Sequence, residues 1–162
     1  MLRFILPFLA MVAIFSCGSS VTGTKINIPS SDTSIQKVIK SDAEWRKQLS
    51  PEAYRVLRAH GTERPNTSPL NMNKKKGDYL CAGCDFLLYT SKDKYDSGTG
   101  WPSFFRPAND YCLGTSEEPD GRTEIHCARC EGHLGHVFND GPRPTGMRYC
   151  MNGVALKFVE KK

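Results

Sequence analysis

Four of the seven cysteines occur as two Cys-x-x-Cys pairs, a spacing that is typical of a metal site. The pairs are Cys81 with Cys84 and Cys127 with Cys130. Two intervening residues allow both sulfurs of a pair to point at one ion, and two such turns complete a closed tetrahedral site for Zn²⁺. Two disulfides in an exported protein, or a redox pair in either motif, are the alternatives. We predict one structural zinc ion per chain.

A fifth cysteine, Cys150, lies in a segment that predicts a reactive thiol. If residues 148–151 form a strand, side-chain alternation places Arg148, Cys150 and Asn152 on one face. A cation and an amide beside a thiol lower its pKa and favour the nucleophilic thiolate. A buried, unreactive cysteine in a core strand is the alternative from this segment alone.

Two histidines upstream, His133 and His136, lie three residues apart between glycines. Imidazole exchanges protons near neutral pH, so either ring is a candidate general acid, and Asp140 is placed to orient one of them. Histidines in structural hydrogen bonds are the alternative. Trp101 lies in a glycine-flanked loop, where it forms either an apolar wall for a small substrate group or a core anchor.

Short strands and turns are expected to position these residues. The sequence is rich in Gly and Pro beyond residue 97, which leaves no room for a long helix, and β-prone runs lie between the breakers. The runs are residues 79–81, 86–90, 123–127, 136–138, 148–151 and 154–159. Because no β-α-β alternation is present, we predict a mainly β fold of antiparallel sheets.

Two short helices are predicted before these strands. Ser41 and Glu44 form a capping box that starts a helix over residues 42–49. A second helix begins after Ser50 and ends near Gly61, because glycine commonly follows a helix C-terminus. We expect the two helices to form a lid on the domain.

Length and composition limit the possible function classes. The chain has 162 residues, of which 24% are charged and 39% hydrophobic, and these values are typical of one globular domain. The net charge of +5 is small, and much of it lies in two short lysine runs. No nucleic-acid partner is therefore expected.

The N-terminus has the pattern of a bacterial export signal. One basic residue precedes an apolar stretch over residues 4–15, which is too short to span a membrane. A lipobox-like sequence then ends at Cys17, although Phe15 replaces the usual small residue. We predict a signal peptide over residues 1–16, lipidation of Cys17 and a flexible tether over residues 17–40. The expected location is the cell envelope or periplasm, anchored by lipid; ordinary signal cleavage with an incidental Cys17 is the alternative.

Taken together, the motifs resemble the B type of methionine sulfoxide reductase, which acts on the R epimer of the sulfoxide. The resemblance extends from about residue 41 to residue 159 and defines a catalytic domain over residues 41–162. It rests on residues 61–65, 81–84, 97–104, 127–130, 132–138, 140–146 and 148–152. Each motif is weak alone, but seven in this order are highly specific.

The resemblance implies an antiparallel β fold with a Cys₄ zinc site on the side away from the active site. It implies that Cys150 is the nucleophile, and that reduction of the sulfoxide leaves it as a sulfenic acid. The expected partners are oxidised proteins or peptides as substrate and a thioredoxin-like dithiol as reductant. We expect a monomer.

The resemblance also implies roles for the residues around the nucleophile. His133, His136 and Asn152 are expected to shape the oxyanion region. Trp101 is expected to pack on the methyl group of the substrate, and we assign Arg148 to substrate binding beside it.

One departure from the family pattern affects recycling. Many members carry the resolving cysteine just before Gly-Trp-Pro-Ser, where this chain has Thr99. Only Cys112 is left without an assignment, so we predict that it resolves Cys150. Direct reduction by an external thiol and a bystander Cys112 are the alternatives. Two other functions compete with the reductase interpretation: a zinc-ribbon-like binding module and a secreted thiol–disulfide exchange protein.

Overall fold

The computed structural model describes residues 35–162, which form two helices, α1 (Asp42–Gln48) and α2 (Pro51–Ala59), and nine strands. The strands are β1 (Gly77–Cys81), β2 (Leu87–Thr90), β3 (Lys94–Tyr95), β4 (Ser103–Phe104), β5 (Leu113–Glu117), β6 (Thr123–Cys127), β7 (His133–Phe138), β8 (Arg148–Met151) and β9 (Leu156–Glu160). The predicted signal peptide, Cys17 and the first part of the predicted tether lie outside the described residues.

Both helices begin at the predicted caps. The backbone N–H of Ser41 donates to the Glu44 carboxylate over 2.8 Å, and the Ser41 hydroxyl accepts from the Glu44 N–H, so the capping box is complete. The hydroxyl of Ser50 accepts from the N–H of Ala53 and so caps α2. Helix α2 ends at Ala59, close to Gly61 as predicted, but His60 rather than Gly61 takes the left-handed conformation, at φ 52°.

The strands form two antiparallel sheets, which confirms the predicted fold class. One has three strands in the order β2-β1-β9, and the other has six in the order β3-β4-β8-β7-β6-β5. Strands β3, β4 and β5 were not predicted from the sequence. Two of these contain only two residues each, and β5 is a largely exposed edge strand, so none carries the hydrophobic alternation that predicts a strand.

Aromatic side chains from both sheets pack together to form the core. Phe104 on β4 stacks on Tyr89 with ring centroids 4.2 Å apart and meets Tyr79 edge-on at 4.9 Å. The Tyr89 hydroxyl donates to the sulfur of Met151 over 3.2 Å. All four side chains are fully buried, so this aromatic core packs against the inner face of β8.

The residues that precede α1 contact the domain. The N–H of Val38 donates to the carbonyl of Arg129 over 2.8 Å, and Lys37 forms an ion pair with Glu131. Residues 35–40, the described part of the predicted tether, therefore lie against the turn between β6 and β7. Within residues 35–162, no helix combines the length and the apolar character needed to cross a membrane.

Candidate active site and four-cysteine cluster

The four cysteines of the Cys-x-x-Cys pairs meet in one cluster. The sulfur of Cys81 lies 3.6 Å from that of Cys130, and Cys84 lies 3.6 Å from Cys127. A disulfide would bring the sulfurs to about 2.05 Å. Tetrahedral ligation with metal–sulfur bonds of about 2.3 Å separates them by roughly 3.8 Å. The four thiols are free and could hold a metal ion, so the two-disulfide alternative is wrong.

The cluster connects distant parts of the chain. One pair begins at the last residue of β1 in the three-stranded sheet, and the other begins at the last residue of β6 in the six-stranded sheet. The helices lie against both turns: Gln48 donates to the carbonyl of Gly83 over 2.7 Å, and Arg58 donates to the carbonyl of Cys130 over 2.9 Å. A bound ion would therefore join the two sheets and the lid helices.

A separate small cavity surrounds the predicted nucleophile. Cys150 on β8 is directly opposite His136 on β7 and Ser103 on β4. Gly135, which is opposite Met151, lies one position before His136 on β7, and a Cβ atom there would be 2.0 Å from the carbonyl oxygen of Cys150, so only glycine allows this close approach of β7 to β8. The cavity has a volume of about 130 Å³. Its walls are formed by Thr62, Trp101, Arg122, Gly135, His136, Phe138, Cys150, Met151 and Asn152.

Four of the six predicted active-site residues share this cavity: Trp101, His136, Cys150 and Asn152. His133 and Arg148 do not line it. His133 is buried and meets His136 edge-on with ring centroids 5.4 Å apart. The structure therefore separates two histidines that the sequence left equivalent: His136 reaches the cavity and His133 supports it.

Two glutamates that the sequence did not predict hold the histidine rings. Nε2 of His136 lies 2.9 Å from the carboxylate of Glu118, which also pairs with Arg122 over 2.8 Å. Nδ1 of His133 lies 2.7 Å from the carboxylate of Glu124. Burial lowers the pKa of His133 despite this carboxylate and so favours the neutral ring.

The guanidinium beside the nucleophile is already paired. Arg148 forms two 2.8 Å hydrogen bonds with Asp140 and stacks over the Phe138 ring at 4.2 Å. The expectation that Asp140 orients a histidine is therefore wrong.

Burial raises the pKa of the Cys150 thiol, and the hydrogen bond with Thr99 and the charge of Arg148 offset this only in part. The expected lowering of this pKa is also wrong, because the thiol is desolvated and Asp140 partly neutralises the guanidinium.

The substitution Arg148→Met is expected to move the alkylation of Cys150 to higher pH. It removes the cation that favours the thiolate, so the thiol pKa rises further and less thiolate exists at any given pH. The measurement is the rate of iodoacetamide labelling of the Cys150 peptide against pH, by mass spectrometry. Arg46→Met, at an exposed ion pair on α1, is the matched control and should leave the profile unchanged. An unchanged profile in Arg148→Met would contradict the assigned electrostatic role.

Glu63 connects two walls of the cavity, a role that its sequence context did not predict. Its N–H donates to the side-chain oxygen of Asn152 over 2.9 Å, and its carbonyl accepts from the Trp101 indole over 3.1 Å. Its buried carboxylate accepts from the N–H groups of Gly153 and Val154. The side-chain amide of Asn152 also donates to the backbone carbonyl of Leu134 on β7. Asn152 therefore borders the cavity and also connects β7 to the backbone of Glu63.

The two residues considered for recycling occupy different environments. Cys112 is fully buried, and its thiol donates to the carbonyls of Leu88 and Asn109 over 3.4 and 3.2 Å. Burial also raises its pKa. The Thr99 hydroxyl lies 3.9 Å from the sulfur of Cys150. A local opening must therefore precede any bond between Cys112 and Cys150, and the role of Cys112 stays a prediction.

Comparison with known proteins identifies the family of the chain. The SelR domain matches residues 49–160. "Peptide methionine sulfoxide reductase MsrB" of Leptospira interrogans is 53% identical over 128 residues, which cover 77% of this chain and 98% of that protein. The protein of the same name from Agrobacterium fabrum is 53% identical over 133 residues, covering 79% of this chain and 97% of the relative.

A solved structure gives a weaker likeness. The "Yippee-like" domain of Mis18 aligns with a TM-score of 0.43 and 16% identity, covering 54% of this chain and 99% of that chain. That likeness is too weak to carry an argument. The match over residues 49–160, together with these relatives, shows that the chain belongs to the SelR domain family.

Proposed function

We propose that the protein reduces R-methionine sulfoxide in peptides and proteins to methionine, with Cys150 as the nucleophile. The observation that carries the proposal is that Cys150 and His136 face one small cavity whose apolar walls include Trp101 and Phe138. The relatives named as peptide methionine sulfoxide reductases support the same reaction. The cavity is large enough for the end of one side chain, and the apolar rings fit its methyl group.

The reaction follows from the placement of these groups. The Cys150 thiolate attacks the sulfoxide sulfur, while His136 donates a proton to the sulfoxide oxygen as that oxygen gains charge. The oxygen is transferred to Cys150, which is oxidised to the sulfenic acid, and the substrate sulfur is reduced to the thioether. Burial raises the pKa of Cys150, so the thiol loses its proton within the complex. His136, directly opposite on β7, takes that proton and passes it to the sulfoxide oxygen, so that no proton is gained or lost in the step.

We propose that an external thioredoxin-like dithiol recycles the enzyme. Its first thiol condenses with the Cys150 sulfenic acid, releasing water and forming a mixed disulfide. Its second thiol breaks that disulfide, which returns Cys150 as a thiol and leaves the reductant oxidised. The burial of Cys112 and the hydroxyl at position 99 support this route over an internal one.

We propose that the four-cysteine cluster holds one Zn²⁺ ion with a structural role. Thiolates are preferred ligands of Zn²⁺, and four of them close its coordination sphere. The cluster residues do not line the cavity of Cys150, which supports a role in folding rather than in turnover.

We also propose that the protein is an exported monomer with a lipid on Cys17, and that it repairs oxidised proteins of the cell envelope. The support is the signal-like sequence of residues 1–16 and the position of the cysteine that follows. The intact mass of the membrane-extracted protein tests the anchor, and a mass without a diacylglyceryl group would remove it.

An assay with both sulfoxide epimers tests the proposed activity. With a dithiol present, the R epimer in a peptide should be reduced and the S epimer should not. His136→Gln should slow the single-turnover rate by about 100-fold, because the proton donor is lost. His133→Gln should slow it less, since that ring does not reach the cavity. Turnover of neither epimer would refute the proposal, and dithiol oxidation without sulfoxide turnover would indicate a thiol–disulfide exchange protein.

A further inference from the structure

Three of the four histidines lie around one carboxylate, that of Glu124. Nδ1 of His133 lies 2.7 Å from Oε1 of Glu124, and Nδ1 of His60 lies 3.1 Å from the same oxygen. The other oxygen, Oε2, accepts a hydrogen bond from Ser116, with His126 at 3.8 Å. One carboxylate oxygen is thus shared by two imidazoles, while the second oxygen is anchored to the sheet.

These side chains have the donor types and the placement of a transition-metal site. The donor atoms of His60, Glu124 and His133 all lie within 4.8 Å of one another. Two imidazole nitrogens and one carboxylate oxygen form a donor set that Zn²⁺ and similar borderline cations prefer. We propose that His60, Glu124 and His133 form a second, open site for a divalent transition-metal ion, separate from the four-cysteine cluster.

The burial of the three side chains gives the site a closed base and an open mouth. The side chains of His133 and Glu124 are 1% and 8% exposed, whereas that of His60 is 61% exposed. An ion can therefore enter from the His60 side and keep a water molecule as the ligand that faces solvent. The buried pair would hold the ion from below, and the exposed His60, whose Nδ1 already lies 3.1 Å from the Glu124 carboxylate, would supply the ligand on the solvent side.

The protonation states of the buried pair suit metal binding, which requires neutral imidazole and ionised carboxylate. Burial lowers the pKa of His133. Burial acts to raise the pKa of Glu124, but hydrogen bonds from Ser116 and His133 outweigh it and leave the pKa below its usual value. When an ion replaces the His133–Glu124 hydrogen bond, the imidazole proton moves from Nδ1 to Nε2. Nε2 is buried and has no hydrogen-bond partner within residues 35–162, so metal binding would exchange a buried unpaired acceptor for a buried unpaired donor at this atom.

Adding Co²⁺ to the zinc-loaded protein tests the site. We expect one additional ion per chain, with weak visible d–d absorption and without the intense near-ultraviolet bands of thiolate ligands. With diamagnetic Zn²⁺ as the added ion in place of Co²⁺, nitrogen NMR of the imidazoles should show ligation at Nδ1 of both His60 and His133. Growth of thiolate bands alone would mean exchange at the four-cysteine cluster and would overturn the proposal.

Two variants make the test specific. His60→Ala should weaken Co²⁺ binding by about tenfold or more, because it removes one of three ligands. His126→Gln removes the neighbouring imidazole that faces the other oxygen and should keep the additional ion. Equal Co²⁺ affinity in His60→Ala and the unmodified chain would overturn the proposal. The His60→Ala variant should reduce R-sulfoxide at the normal rate, since His60 does not line the cavity.

Discussion

Replacing Cys150 with serine is expected to lower R-sulfoxide turnover by about three orders of magnitude or more while leaving substrate binding nearly intact. Serine occupies the same place between His136 and Ser103, but its hydroxyl is a far weaker nucleophile and forms no sulfenic acid. Turnover is measured with an R-sulfoxide peptide and dithiothreitol. Binding is measured from the fluorescence of Trp101, whose ring forms one wall of the cavity. Residual turnover near the normal rate would show that another group is the nucleophile.

The matched control is Cys112→Ser, which changes the other cysteine of residues 35–162 that lies outside the four-cysteine cluster. A serine hydroxyl can donate to the carbonyls of Leu88 or Asn109 as the thiol does, so the fold should be retained. We expect turnover with a dithiol within about twofold of normal, since an external thiol attacks Cys150 directly. Without reductant, dimedone should trap the Cys150 sulfenic acid after one turnover. A Cys112–Cys150 disulfide in the unmodified protein would instead establish Cys112 as the resolving residue.

Removal of the proposed zinc ion is expected to lower the melting temperature by about 15 °C, a loss of roughly 4 kcal/mol for a domain of this size. The four thiolates would lose the ion that joins the turn after β1 to the turn after β6, and so the two sheets. The measurement is calorimetry after denaturant-free chelation, with metal content by mass spectrometry. Cys84→Ser should give a similar loss, because three thiolates bind zinc more weakly than four.

Cys112→Ser also serves as the control for the metal experiment. It should retain one zinc ion per chain and most of its thermal stability, because its side chain is not part of the cluster. A metal-free protein with an unchanged melting temperature would contradict the structural role of zinc. Loss of turnover in the stripped protein should follow the loss of structure, because the cluster does not line the cavity.

Short-range features of the structure followed from the sequence. The capping box at Ser41 and Glu44 and the cap at Ser50 involve residues three apart, so local geometry alone specifies them. The alternation over β8 correctly separated Cys150 from Tyr149 and Met151, whose side chains pack toward Tyr89 in the core. Strand β4 was missed because two residues carry no period, yet it brings the Trp101 loop beside Cys150.

The electrostatic partners of the site could not be predicted in this way. Asp140 lies close to His136 in sequence, but it pairs with Arg148 from the next strand. The carboxylates that hold the histidines, Glu118 and Glu124, come instead from the β5–β6 hairpin. Strand pairing selects these partners, and no pattern in the sequence contains the register of distant strands.

By itself, the sequence determined the residue types that do chemistry and the local turns that present them. Two residues between paired cysteines bring both sulfurs to one side of a turn, so each half of the metal cluster is a local property of the chain. Only the tertiary structure decided which histidine reaches Cys150, that the thiol pKa is raised rather than lowered, and that Cys112 is enclosed. These properties depend on burial and on contacts between strands far apart in sequence, because desolvation and Coulomb interactions act through space rather than along the chain.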